Sequence, residues 1–221
     1  MAATRSAEPH RTRYPAHEVR HPWLSALLDA YHISDTAARE ELARETARRA
    51  APPACGPGCS VCCEGQVIPV SVFEVLGLWW YVAEMLKGRA RHGVRKNLLE
   101  RGAEDTRPTP VACPFLVRRS CAVYPVRPFI CRQHHVFGRP CQPGENLRQA
   151  RPGDIFNTAQ DRARDMAWLL LPLYGVAQDD IDRRFERGYV QGRSRDLHSL
   201  PLANLVTHMD AAAKRKTDNH A

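Results

Sequence analysis

The chain reads as mostly α and irregular, with helices packed around a cysteine-rich loop centre. Three observations predict this. Apolar residues recur at helical spacing before and after the middle of the chain. The middle itself is punctuated by proline, glycine and cysteine with little periodicity. No alternation of strand and helix of the kind that builds a parallel sheet is present.

At 221 residues the chain is long enough to bury a core without covalent staples. A single domain over 21–210 is expected, with its cysteine core at 51–145, a mobile arm over 1–20 and a polar tail over 211–221. The opening "MAATRSAEPHRTRYPAHEVR" is charged and proline-containing with no apolar core, so it does not read as a secretory leader and the cytosol is the expected compartment.

In "HPWLSALLDAYHI", Trp23, Leu24, Leu27, Leu28 and Tyr31 fall on one helical face. The alanine-rich "SDTAAREELARETARRA" predicts a second helix, on the surface, stopped by Pro52 and Pro53. "QVIPV" is a short extended piece, and Ser71 with Glu74 three residues on predicts a capping box opening a helix from Val72 to about Lys87, stopped by Gly88. The apolar run Val70 to Leu86 is too short to span a bilayer and contains Glu74 and Glu84, so it is expected in the core and not in a membrane. Trp79 to Tyr81 belong to the same packing.

"HGVRKNLLERGAE" predicts another helix, ending at the break "RPTP". Residues 111–145 are expected to be loop organised by something other than a hydrophobic core. Thr158 is a candidate N-cap, with Asp161 three residues on, for a helix whose apolar face holds Met166, Leu169, Leu170 and Tyr174. One more short helix and the tail close the chain.

The net charge is +8, carried almost entirely by arginine. Basic residues alternate with acidic ones in "AAREELARETARRA" and "DDIDRRFERG", which is the pattern of solvated helix faces and argues against nucleic acid. A protein partner is left open.

Eight cysteines remain to be explained: Cys55, Cys59, Cys62 and Cys63 within nine residues, then Cys113, Cys121, Cys131 and Cys141. In a reducing compartment clustered thiols point to metal or catalysis before disulfides. Ligands three or four positions apart on a turn converge on one ion, and the glycines and proline of "CGPGC" permit such a turn. Adjacent Cys62 and Cys63 diverge in a helix or a strand, so one of them is free for another corner of a cluster, a second site or packing. The first group supplies at most three ligands comfortably, so the second must close a tetrahedral zinc or a [4Fe-4S] site, giving a metal-organised centre. Simple packing explains one or two thiols but not four in nine residues; for Cys141 it stays competitive.

Arg127 and Arg132 are candidates to offset the charge of such a site, by hydrogen bonds to sulfur or to a carboxylate behind it, while a surface salt bridge is the plainer reading of Arg127. His134 and His135 could complete a Cys3His zinc site or act as bases, or be ordinary histidines.

Taken in order, "CGPGCSVCC", "VIPVSVFEV", "CPFL", "CAVYPVRPFIC" and "CR" resemble the YkgJ-type cysteine-cluster proteins, the zinc- or iron-chelating CxxCxxCC domain, over residues 55–135. The resemblance implies a small, mostly helical metal-binding domain with ligand positions at Cys55, Cys59, Cys62, Cys63, Cys113, Cys121 and Cys131. The expected function is therefore to hold an iron–sulfur cluster, [4Fe-4S] before other types, in a structural, redox or accessory role.

A zinc-binding structural or interaction module is the first alternative. A metal-dependent protein-modifying enzyme similar to the flagellin lysine-N-methylases is the second, although this chain is much shorter than they are. Cys55, Cys59 and Cys62 also match the C-x3-C-x2-C spacing of radical S-adenosylmethionine enzymes, but Val61 stands where an aromatic is usual. No nucleotide-binding glycine loop, Ser-His-Asp set or H-E-x-x-H is found, and whether the protein is an enzyme is left open.

Overall fold

The computed structural model describes residues 10–56, 58–102 and 112–218. Residues 1–9 of the expected arm, Pro57, the break "RPTP" and residues 219–221 lie outside the described residues. What is described is mostly α, with strands of two or three residues.

Helices α1 (Pro15–Arg20) and α2 (Pro22–Arg49) both open on proline, whose missing N–H is no loss at a first helical position. The second half of the expected arm is thus helical, and it is docked. Arg11 bonds Glu18 at 2.8 Å and also pairs with Asp29 of α2, while Trp80 Nε1 lies 3.1 Å from His17 Nδ1.

Where two helices were expected, α2 runs unbroken for 28 residues. Its second half is no surface connector either. Ser34, Ala37 and Ala38 are buried, because small side chains let neighbouring helices come close. Those neighbours are α5 (Phe129–Gln133) and α7 (Ala163–Leu170). The helix stops at Ala50, which adopts φ +50, two residues before Pro52.

Strand β1 (Pro69–Val70) leads into α3 (Val72–Trp80), which opens on the predicted capping box: Glu74 N–H donates to Ser71 Oγ and Ser71 N–H to Glu74 Oε2 at 2.7 Å. The helix continues as a π turn over Tyr81–Met85 and ends just short of the predicted limit. The run from Val70 to Leu86 lies in the core, as expected. At Gly77 an added Cβ would stand 2.6 Å from Leu27 Cδ2, so any larger residue there would have to displace that buried side chain of α2.

Gly88, at φ +55, is the first residue of α4 (Gly88–Gly102), which buries Val94 and Leu98. Strands β2 (Leu116–Val117) and β3 (Ser120–Cys121) form a hairpin, and β4 (His134–Val136) pairs antiparallel with β5 (Ile155–Asn157). The hairpin lies on α4, where a Cβ at Gly93 would meet Val117 at 2.7 Å.

The second cysteine segment therefore differs from the loop expected for it. It holds a hairpin, a helical turn and a strand, and it buries Phe115, Val123 and Val126 in the same apolar cluster as Leu24, Leu28, Leu98 and Met209. Large apolar residues separated by cysteines and prolines have no periodic signature, yet they pack as core all the same.

Helix α6 (Leu147–Ala150) precedes β5. Thr158 does not cap the next helix. It is buried, and its N–H and hydroxyl donate to Gln133 O at 2.9 and 3.3 Å, so that α7 begins only after Arg162. Met166 and Leu170 of its predicted face are buried. Helix α8 (Ile181–Glu186) was not predicted, and β6 (Arg195–Asp196) pairs with β1. Helix α9 (Asn204–Asp218) runs through residues expected as the polar tail. Among the described residues no helix is long and apolar enough to cross a membrane.

Candidate metal centre

The first cysteine loop hangs on β4. Ala54 N–H donates to Val136 O at 2.7 Å, and Val136 N–H donates to Cys55 Sγ at 3.3 Å. Gly58, at φ +79, turns the chain. Ser60, fully buried, bonds Glu64 at 2.6 Å through its hydroxyl and accepts the Cys63 N–H at 2.8 Å through its carbonyl, fixing a 3₁₀ turn over Val61–Cys63.

The two cysteine groups then meet through the backbone. Cys113 N–H donates to Cys63 O at 2.7 Å, joining positions fifty apart in the chain. The hairpin next places Cys121 opposite Leu116, and α5 carries Cys131 and Arg132. Pro128 opens that short helix.

Cys62, Cys113, Cys121 and Cys131 lie within electrostatic reach of one another in every pairing. Cys55, Cys59 and Cys141 form a second such group, and Cys62 faces both Cys55 and Cys141 as well. Cys62 is the link between the two. Cys63 is near enough to Cys62 to raise its pKa, and it also packs against the apolar core.

All eight cysteines are free; Cys113 is buried, whereas Cys55, Cys59, Cys62 and Cys131 reach solvent. Their pKa values are nonetheless raised where shifted. Neighbouring Cys63, then burial, raises Cys62. Burial pushes Cys113 up to about 12, against the N–H of Phe115. Cys131 is raised by burial and by its thiol neighbours. Burial thus holds back the ionisation even of sulfurs that keep some contact with water. Without added positive charge they are thiols at neutral pH; a bound cation would reverse that and release their protons.

The positive charge at hand is arginine. Cys121 is raised by burial but lowered by Val123 N–H, Arg127 and Arg132. The donors of Arg132 are committed to the scaffold: to Asp35 at 2.6 Å, Pro125 O at 2.6 Å and Arg127 O at 2.9 Å, with the guanidinium 3.9 Å above the Tyr31 ring. Arg127 stacks on Tyr124 at 3.8 Å and stands 3.9 Å from Asp35. Asp35 is thus the carboxylate behind both arginines.

Two residues were missed at the sequence level. Asp35 lies mid-helix with no local pattern to mark it. Glu74 was read as a cap for α3 alone, yet its second oxygen, Oε1, accepts the Phe129 N–H at 2.8 Å and so ties α3 to the start of α5. His134 and His135 stand on β4 beside the loop. Both are driven toward the neutral form by burial, His135 to a pKa of about 4, and the Nε2 of each is buried with no hydrogen-bond partner.

The donor chemistry fits a thiophilic metal. The side chains are not closed into a ligand shell as they stand: among the described residues no three His, Cys, Asp or Glu side chains are set to hold an ion. Solvent-exposed cysteines change rotamer without moving the backbone. Comparison with family models, with curated proteins and with solved structures finds no match in any of the three.

Proposed function

We propose that the chain is a cysteine-ligated metal-binding protein of the YkgJ type, holding an iron–sulfur cluster, [4Fe-4S] before other types, in a structural, redox or accessory role. The observation that carries the reading is the 2.7 Å backbone bond from Cys113 to Cys63, which ties together two cysteine-bearing segments fifty residues apart. Cys62, Cys113, Cys121 and Cys131, mutually in reach, are the first candidates as ligands; Cys55, Cys59 and Cys63 stand beside them. An iron–sulfur cluster supplies one-electron chemistry or a rigid cross-link. The chain's own part is to present thiols that ionise on binding, to set Arg127 and Arg132 near Cys121, and to fix Cys131 through Glu74.

A zinc module is the second reading, favoured by the neutral, unpartnered Nε2 atoms of His134 and His135. Elemental analysis with electron paramagnetic resonance on anaerobically purified protein separates the two. Brown, iron- and sulfide-containing protein is expected, with loss of iron in Cys121→Ser. Colourless protein with stoichiometric zinc selects the second reading, and folded protein containing neither metal rejects both.

A further inference from the structure

Simple packing does not account for Cys141. It belongs to neither apolar cluster of the described residues, and neither do Cys55 and Cys59, whereas Cys63, Cys113 and Cys121 all take part in the main core. All three are free thiols.

Polar contacts around the end of β4 hold them instead. Val136 N–H donates to Cys55 Sγ at 3.3 Å, the kind of bond that supports a ligating thiolate. Cys59 closes a tight turn, its own N–H returning to Gly56 O at 3.1 Å. The loop carrying Cys141 leaves β4 through Phe137, whose carbonyl accepts from Arg151 at 3.2 Å. Glu145 then pins that loop: its carboxylate, 8 % exposed, accepts from Gln142 N–H at 2.9 Å, Arg139 at 2.6 Å and Arg151 at 3.0 Å. Cys59 is the strongest electrostatic neighbour of Cys141, ahead of Arg151 and Glu145, and Cys59 and Cys141 both act on Cys55. Arg151 stands to this group as Arg127 and Arg132 stand to Cys121, a cation held by carboxylates and close enough to favour the thiolate.

We propose that Cys55, Cys59 and Cys141 form a second metal site, for a thiophilic divalent cation of the zinc type, with Cys62 shared between it and the first centre. Three thiolates from two loops and one shared sulfur satisfy a tetrahedral ion. Each thiol gives up its proton on binding, so no oxidant or reductant is needed. The sulfurs are not closed on one point as they stand; closure is by rotation about χ1, which the exposed Cys55 and Cys59 and the half-buried Cys141 leave open. The inference rests on thiolate metal binding by this chain but not on the identity of the first centre.

The test is anaerobic titration of the reduced, metal-free full chain with cobalt(II) alone. It is read by thiolate-to-cobalt charge-transfer absorption, and by alkylation of each cysteine followed by peptide mass mapping. The parent is expected to take up about two ions, and Cys141→Ser and Cys121→Ser about one each. Bound cobalt should slow alkylation of Cys55 and Cys59 in Cys121→Ser and not in Cys141→Ser. A Cys141→Ser chain that takes up as much cobalt as the parent would overturn the proposal. So would a parent in which Cys141 alkylates at the same rate with and without cobalt, a result that does not depend on how any variant folds. A parent that takes up a single ion and protects only Cys62, Cys113, Cys121 and Cys131 overturns the second site and leaves the first standing, whereas a parent that takes up none overturns both.

Discussion

The two cysteine segments use one residue type in opposite settings. Residues 55–63 are held by a few hydrogen bonds to β4 and to Cys113, with three of their four thiols exposed. Residues 113–131 are held by apolar packing: Phe115, Val123 and Val126 are buried in the main core and Cys113 is buried with them. Folding itself seats the second segment, because burying apolar area needs no ligand. The first is anchored by contacts of modest net worth, about 1 kcal/mol each, so it has more to gain from a bound metal.

Three substitutions test that contrast. The largest effect is expected from Phe115→Ala, which empties the seat of the second segment and should cost about 4 kcal/mol in urea unfolding. A cost under about 1 kcal/mol would show that the segment does not depend on the core.

Next comes Arg132→Met, which leaves Asp35 without its 2.6 Å partner and should cost about 3 kcal/mol. Amide exchange should then rise over residues 125–133 and not over 55–63; a rise confined to 55–63 would invert the contrast.

The smallest effect tests the strand that carries the first loop. His135 is held to about 4 from an ordinary 6.5, first by burial, against its bond to the Arg132 backbone. Below pH 6.5 the unfolded chain takes up a proton that the folded chain refuses, so this group's share of stability is present above 6.5 and is lost as pH falls toward 4. His135→Gln should therefore flatten the fall in melting temperature between those limits, and an unchanged slope would remove His135 from that role.

Some of this was legible in the sequence. The capping box at Ser71 and Glu74, the core placement of Val70 to Leu86 and the helical class all follow from short-range rules, in which neighbours three or four residues apart decide the outcome. Other features were not legible. Nothing local distinguishes the α2 residues Ser34, Ala37 and Ala38 from a surface face, since alanine is compatible with both. Thr158 has the form of a cap, but its donors go to Gln133, which only the pairing of β4 with β5 brings near.

What the sequence determined by itself was the inventory: eight thiols in two spaced groups, arginine at 127 and 132, and enough periodic apolar residues to make helices. The tertiary structure decided which of these meet. It linked Cys63 to Cys113, put Asp35 behind both arginines and gave Glu74 a second role. The physical reason is range: helix formation is settled within a few residues, whereas the meeting of the two cysteine segments depends on hydrogen bonds and packing between positions fifty or more apart in the chain, whose energies exist only once the whole core has closed.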